Sequence, residues 1–527
     1  DFLKSNAVNN NIFCYESEVS SIAFNQEFYD DEKLLSLITH SSSLPSMNRE
    51  FSLNIIFLIS INLLIKPFFI FGIDRTVQNV VGTETYGIYF TLLSLTYLFG
   101  IINDFGIQNF NNRSISQNPN LLQQYFPNIL VIKTLLGGAY LVFIFLMAWV
   151  WKYDFDVCHI LFFLSLNMIL AQFIYYFRSN ISGLGMYRVD SVISALDKLL
   201  MIFICGALLW LPTFEGEFQI EWFVYAQTVS FFLTALIAFF IVKNKIPKPS
   251  YNIDLTLIKN ILKKSAPYAL VIFLMSIYTR IDAVMIERLL ENGEEESGIY
   301  GAGYRLLDAS NMIGFLFAGL LLPMFAKMLK EKISILPLVK MSALMIWSGS
   351  ITLSFATYFF QNEIVELLYL EATPYWGEVL GILMLSFIAV SGTYIFGTLL
   401  TANGSLKKMN YILIVAVILN IVFNFMLIPK YGALGAAWTT LVTQFFSMFA
   451  QVVLVKKEFG WKTNLRETLR ILIFCICIVI ITYGCYNYLG INWIIRFGLS
   501  LSAGIGLAFL LGLVNLKFAF DFLKNKF

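Results

Sequence analysis

Residues 73–89 read IDRTVQNVVGTETYGIY, and residues 281–300 read IDAVMIERLLENGEEESGIY. The frame Ile73-Asp74 … Gly87-Ile88-Tyr89 thus returns, slightly stretched, as Ile281-Asp282 … Gly298-Ile299-Tyr300. The offset is 208 residues at the aspartates and 211 at the glycines. The second copy opens on Arg280 and runs into Arg305 and Asp308. Ionisable groups inside apolar spans cost several kcal/mol and mark substrate or ion pathways. Duplicated bundles that carry charge at membrane depth are the architecture of transporters.

The composition requires a membrane. Of the 527 residues, 58% are hydrophobic and 13% charged, with a mean hydropathy of +0.73; soluble domains carry about 25% charged residues. A net charge of +2 gives no reason to expect nucleic acid as a partner. The six cysteines, Cys14, Cys158, Cys205, Cys475, Cys477 and Cys485, form no C-x-x-C pair and read as small packing residues. With only His40 and His159 besides, no metal, cofactor or histidine-based catalysis is expected. Residues 1–46 are mixed polar and read as a disordered or non-native extension, with Met47 as the expected start.

Apolar runs long enough to cross about 30 Å of hydrocarbon number fourteen. They fall near 51–73, 86–109, 126–150, 157–180, 189–211, 219–243, 264–287, 297–326, 338–361, 377–402, 408–428, 433–455, 467–488 and 492–516. Pro429-Lys430-Tyr431-Gly432 predicts a tight turn between the eleventh and twelfth. Connections after even-numbered spans hold twenty lysines and arginines. Those after odd-numbered spans hold four, with acids such as Glu294, Glu295, Glu296 and Glu371. Positive residues stay on the cytoplasmic side, so both termini are expected there.

A second match, Phe177-Arg178 … Gly185 … Arg188 against Phe396-Gly397 … Gly404 … Lys407 at offset 219, extends the duplication through twelve spans. The expected fold is all-α and polytopic, with two six-helix lobes related by a pseudo-twofold axis along the membrane normal. The N-lobe covers 47–243 (spans 1–6), and a basic cytoplasmic linker facing lipid headgroups covers 244–263. The C-lobe covers 264–456 (spans 7–12), with two further spans and a cytoplasmic tail in 457–527.

The charges of spans 1, 2, 7 and 8 are the candidate site. Lys66, Arg280 and Arg305 lie deep and are read as lining a cavity between the lobes; an arginine fork suits phosphate or pyrophosphate. Asp308 follows Arg305 by three positions and is expected to pair with it, leaving Arg280 the freer cation. Asp104, Asp282 and Asp308 are candidate ion-coupling or pairing carboxylates. Arg75, Arg113, Arg178 and Asp104 lie near span ends, where snorkelling to the interface is the simpler reading. Asp197-Lys198 reads as a local structural feature. Pro67, in span 1, breaks the hydrogen-bond ladder and permits bending, either as an ordinary kink or for a moving helix.

The pattern Tyr278-Thr-Arg280-Ile-Asp282-Ala-Val-Met285, an acidic loop, then Gly298-Ile-Tyr300-Gly-Ala-Gly-Tyr304-Arg305 resembles the polysaccharide-transporter branch of the multidrug/oligosaccharidyl-lipid/polysaccharide exporter superfamily. Thr401-Ala-Asn403-Gly404 and Pro429-Lys-Tyr431-Gly432-Ala-Leu-Gly435-Ala-Ala437 add to the likeness, which covers residues 47–460. The resemblance implies a V-shaped two-lobe bundle in the bacterial inner membrane. It implies that the bundle flips undecaprenyl-pyrophosphate-linked O-antigen, capsule or exopolysaccharide units by alternating access. It also implies headgroup contacts at Lys66, Arg280 and Arg305, and a groove for the lipid tail at spans 13–14. Polysaccharide polymerase and glycosyltransferases are the implied partners. Two alternatives stay open: a cation-coupled small-molecule exporter, and a membrane polymerase or glycosyltransferase. Short odd-numbered connections speak against the enzyme. The absence of a Walker-type loop speaks against ATP hydrolysis by this chain.

Overall fold

A computed structural model describes residues 64–211, 218–246, 253–462 and 465–514. The extension over 1–46, the first part of span 1, the centre of the linker and the tail beyond 514 lie outside them. Among the described residues all regular structure is helical. The first helix, 64–81, contains a π-helical stretch, Phe69–Asp74, that runs into α1 (Arg75–Val81). It begins two residues after Pro67, where a missing N–H already loosens the ladder.

There follow α2 (Thr83–Leu98), α3 (Gly100–Asp104), α4 (Ile107–Gln117), α5 (Leu122–Val150), α6 (Phe155–Gly183), α7 (Tyr187–Trp210) and α8 (Ile220–Lys243). The second copy comprises α9 (Leu255–Leu289), α10 (Gly293–Lys330), α11 (Leu336–Phe359), α12 (Gln361–Leu368), α13 (Pro374–Ala402) and α14 (Leu406–Phe459). The chain closes with α15 (Leu465–Tyr488) and α16 (Trp493–Leu510).

Among the described residues eleven helices are long and apolar enough to cross a membrane. Three expected spans are absent from that count for local reasons. Span 1 is described only from residue 64. Span 2 is broken at Phe99 and again at Phe105 and Gly106, both left-handed with φ of 50° and 76°. Spans 11 and 12 form one element, α14, whose continuity is interrupted at Gly432 (φ 58°, ψ −137°).

That interruption falls in the expected Pro429–Gly432 turn and is held from outside. The Glu296 carboxylate accepts hydrogen bonds from the Ala433 N–H at 2.7 Å and the Tyr375 hydroxyl at 2.7 Å. It thereby caps the start of the second arm of α14. A Cβ on Gly432 would sit 2.4 Å from the same carboxylate. The expected linker also gains structure: α9 begins at Leu255, inside the basic stretch, capped by Asp254, whose Oδ1 accepts from Thr256 N and Leu257 N.

The two copies meet through the glycines of the repeated frame. A Cβ built on Gly87 would lie 1.7 Å from the Glu294 carbonyl oxygen, and one on Gly298 would lie 2.2 Å from the Thr83 carbonyl oxygen. Thr83 and Glu294 stand at the same 211-residue offset as the glycines, so α2 and α10 each meet their own counterpart. Around this crossing, Gln78 Nε2 donates to the Gly298 carbonyl at 3.2 Å, and the Thr91 and Ser297 hydroxyls are 2.6 Å apart.

Further contacts tie the ends where the odd-numbered connections lie. Asn79 exchanges bonds with the Leu368 carbonyl and the Leu370 N–H, and Thr83 N donates to Glu371. Arg288 donates to the Trp151 carbonyl and lies over the Tyr153 ring. At the other end, the start of α9 packs Ile261 into a cluster with Ile107, Phe126 and Ile181 of the first copy.

Replacing Gly298 with Leu forces the two helix starts apart. It is expected to destabilise the folded bundle by about 3 kcal/mol or more, read as lost monodispersity and a lowered unfolding midpoint in detergent. Gly138→Ala, whose Cβ would meet nothing within 4 Å, is expected to leave both unchanged.

Candidate functional site

The buried seam between the copies carries two charge clusters, and their pairing differs from the expected one. Arg305 does not pair with Asp308. Its Nε stands 2.8 Å from Oδ2 of Asp74 on the first copy and donates to the Tyr86 hydroxyl at 3.2 Å. Tyr86 donates in turn to the same Oδ2 at 2.9 Å, which closes a triangle. Asp74 is 2% exposed, so the pair is held in low dielectric.

Arg280 is not the free cation. Its Nη2 lies 3.4 Å from Oδ2 of Asp308, and its guanidinium lies over the rings of Tyr97 and Tyr304 at 5.1 and 5.0 Å. The side chains of Arg280 and Asp308 keep 20% and 27% of their surface exposed, against 16% and 2% for Arg305 and Asp74. The two arginines are nearly alike in exposure and differ in partner, a long bond to part-exposed Asp308 for Arg280 against a short one to buried Asp74 for Arg305. One helical turn along α10 brings Arg305 and Asp308 close, but neighbouring helices carry better-aligned partners for each.

Lys66 is half-buried, with Arg178, Asp197 and Lys198 as its charged neighbours on the first copy. Arg178 makes a two-point pair with Asp190, at 2.7 and 3.3 Å, instead of snorkelling. Lys198 pairs with Asp197 at 3.4 Å, lies over the Phe69 ring and reaches the wall of the cavity that holds Asp74 and Arg305. Arg75 reaches Thr76 at 3.4 Å; the side chain of Arg113 lies outside the described residues.

Asp104 belongs to neither cluster. It forms a buried pair with Lys133 at 2.5 Å, with side-chain exposures of 7% and 0%. Span 2 breaks at Phe105, directly after it, and Asp104 is buried and paired instead of interfacial. A polar cavity of about 50 Å³ joins the seam to the first copy, walled by Asp74, Tyr89, Thr96, Asn167, Lys198, Gln227 and Arg305. An apolar crevice of about 320 Å³ opens between α10, α11, α12 and α16, lined by Phe71, Leu306, Leu353, Trp493 and Phe497.

Asp282 sits apart and carries an arrangement invisible to a count of charges. Its Oδ1 accepts from Asn420 Nδ2 at 3.0 Å and Asn424 Nδ2 at 2.7 Å, and its Oδ2 from Tyr300 at 2.9 Å and Thr440 at 2.6 Å. No Lys or Arg is within salt-bridge distance of it among the described residues. The Asn424 Oδ1 is buried with no hydrogen-bond partner. The signal was present in sequence: Asn420 and Asn424 stand four apart in an apolar run and so share one helical face.

The bundle has the fold of a solved lipid flippase and of solved transporters of the multidrug/oligosaccharidyl-lipid/polysaccharide exporter superfamily. The lipid II flippase MurJ, in an inward closed conformation, superposes with a TM-score of 0.67 at 12% identity, covering 88% of this chain and 97% of that one. The MATE transporter VcmN of Vibrio cholerae, in its bent form, gives 0.52 at 15% identity over 80% and 98%. A transporter of this superfamily from Pyrococcus furiosus gives 0.55 at 12% over 78% and 94%. At these identities the likeness is one of fold.

Over residues 52–329, more than half its length, the chain matches the family of polysaccharide biosynthesis proteins, and it belongs to that family. The capsular polysaccharide biosynthesis protein CapF of Staphylococcus aureus is 27% identical over 218 residues, 40% of this chain. The match spans about half of that relative, 54% of its length.

Removing one member of a buried ion pair strands the other, at a cost of about 3–5 kcal/mol. Lys133→Met is therefore expected to lower the unfolding midpoint in detergent sharply. Asp104→Leu combined with Lys133→Met is expected to recover most of the loss.

Proposed function

We propose that this protein flips undecaprenyl-pyrophosphate-linked oligosaccharide across the bacterial inner membrane. Membership of the polysaccharide biosynthesis family and a flippase-like fold support the reading. The observation that carries it is the seam: Arg280, still partly exposed, stands where the two copies meet, with donors suited to a diphosphate. Lys66 remains the third headgroup contact in this reading, and Arg305 becomes available when its bond to Asp74 opens. The apolar crevice beside α16 suits the lipid tail.

The spans number fourteen in this reading: the two arms of α14 count separately, and the first helix and the broken second one are added. Both termini are cytoplasmic and the copies are related by a pseudo-twofold axis, which the reciprocal Gly87–Gly298 contact supports. The odd-numbered ends then face outward, and the contacts that tie them are the ones that release in the outward-open state.

Asp282 is the coupling site. An anionic carboxylate buried in a membrane bundle without a cation is costly. Four neutral donors, from Asn420, Asn424, Tyr300 and Thr440, offset its charge only in part, and a proton or small monovalent cation taken up there would complete the neutralisation. Arg280 and Arg305 at the seam disfavour a cationic drug as cargo.

In a strain lacking its own flippase, Arg280→Glu is expected to abolish surface glycan while the chain still inserts in the membrane. Full surface glycan with this variant would sink the headgroup assignment. Asp282→Asn is expected to lower transport at least tenfold and to remove its dependence on the ion gradient, measured in vesicles with an imposed gradient.

A further inference from the structure

Opening the bond between Arg305 and Asp74 frees an arginine, but it leaves a carboxylate that is 2% exposed without a counter-charge. A buried charge that loses its partner is strongly destabilised, so the opening calls for a second cation. Of the residues that wall the cavity at Asp74, only Arg305 and Lys198 carry positive charge. Lys198 belongs to α7 of the first copy, and its hold on Asp197 is loose: the atoms are 3.4 Å apart, with 26% and 17% of the two side chains exposed. Its ammonium otherwise faces the rings of Phe69 and Phe231, 4.8 and 5.3 Å from their centroids.

The π-helical stretch brings these groups into line. Its hydrogen bonds close over five residues, as from Arg75 N to the Ile70 carbonyl, so Phe69 and Asp74 lie on neighbouring turns of one side. Lys198, over Phe69, is thereby about one turn from the carboxylate, and both border the same cavity of about 50 Å³. Cys205, seven residues along the same face of α7, has Asp74 and Lys198 as its charged neighbours. An acceptor is also in place: Asp74 Oδ1 is buried with no hydrogen-bond partner, while Oδ2 takes both Arg305 and Tyr86. At the 219-residue offset, Asp197 and Lys198 correspond to Ala416 and Val417. The pair thus exists only in the copy whose aspartate receives an arginine.

We propose that Lys198 is the reserve counter-ion of Asp74: when the diphosphate draws Arg305 away, the ammonium moves from Asp197 to Asp74 Oδ1 and holds the carboxylate until Arg305 returns. This rests on Arg305 serving the headgroup. Lys198 is then a positioning residue, which acts on the cargo through Arg305. Asp197, left behind, keeps part of its surface exposed and has Lys66 as a charged neighbour.

The first test is a set of unfolding midpoints of the purified full-length chain in detergent. Arg305→Gln alone is expected to lower the midpoint modestly, because Lys198 takes over Asp74. Arg305→Gln with Lys198→Met is expected to lower it by more than the two single losses together, and Asp74→Asn to recover most of that excess. Additive losses, or an Arg305→Gln chain that does not fold with Lys198 intact, overturn the proposal. The second test is surface glycan in a strain lacking its own flippase, at matched membrane levels. Lys198→Met is expected to reduce it about tenfold or more, Lys198→Arg to keep it, and Lys198→Met with Asp74→Asn to restore it. A loss that Asp74→Asn does not relieve places Lys198 on the cargo itself and overturns the proposal, as does full glycan with Lys198→Met. If the midpoints are non-additive while Arg280→Glu and Arg305→Gln both keep full glycan, the exchange at Asp74 stands and the headgroup reading falls.

Discussion

Two glycines, 211 residues apart, let the starts of α2 and α10 touch backbone to backbone. Everything at the seam is placed by that approach. It sets Thr91 against Ser297, brings Gln78 to the Gly298 carbonyl, and delivers Arg305 to Asp74 across the join. A side chain at either glycine would push the helices apart, and an ion pair 2.8 Å long would not survive. Helix association in lipid gains little from apolar burial, because the tails are as apolar as the protein; close approach of small residues supplies the attraction instead.

The bundle accommodates charge mostly by pairing it between helices. Each ionisable group traced through the seam has found a specific answer. Asp104 and Lys133 neutralise each other inside the first copy, Arg178 locks to Asp190, and Arg305 bridges to Asp74. Arg280 divides its interactions between Asp308 and two tyrosine rings and remains partly open. Asp282 is the exception, surrounded by neutral donors alone. A charge left without a counter-charge in such a setting is where an external ion has most to contribute.

Much of this was legible in the amino-acid order. Apolar run length located the helices, and the repeated Ile-Asp … Gly-Ile-Tyr frame identified the two surfaces that meet. Pro429–Gly432 marked the turn that Gly432 makes. Partner choice was not legible. Arg305 and Asp308 are three apart on one helix, and sequence reasoning joins such neighbours, whereas the structure gives each a partner on another helix. The break of span 2 at Phe105 had no proline to announce it, so Asp104 read as interfacial when it is buried. Asn420 and Asn424 escaped notice because the reading weighed formal charge, and an amide in an apolar helix carries its information without any.

The cap on the Gly432 turn has a consequence for biogenesis. The carboxylate that holds the turn belongs to Glu296, 137 residues upstream of the Ala433 N–H it accepts from. During synthesis Glu296 has long left the ribosome when the hairpin of α14 emerges. The late hairpin therefore docks onto an early-inserted template, and its second arm gains a fixed start only on arrival. Insertion order and the native contact run in the same direction, so the nascent chain needs no rearrangement of its earlier helices to accept its later ones.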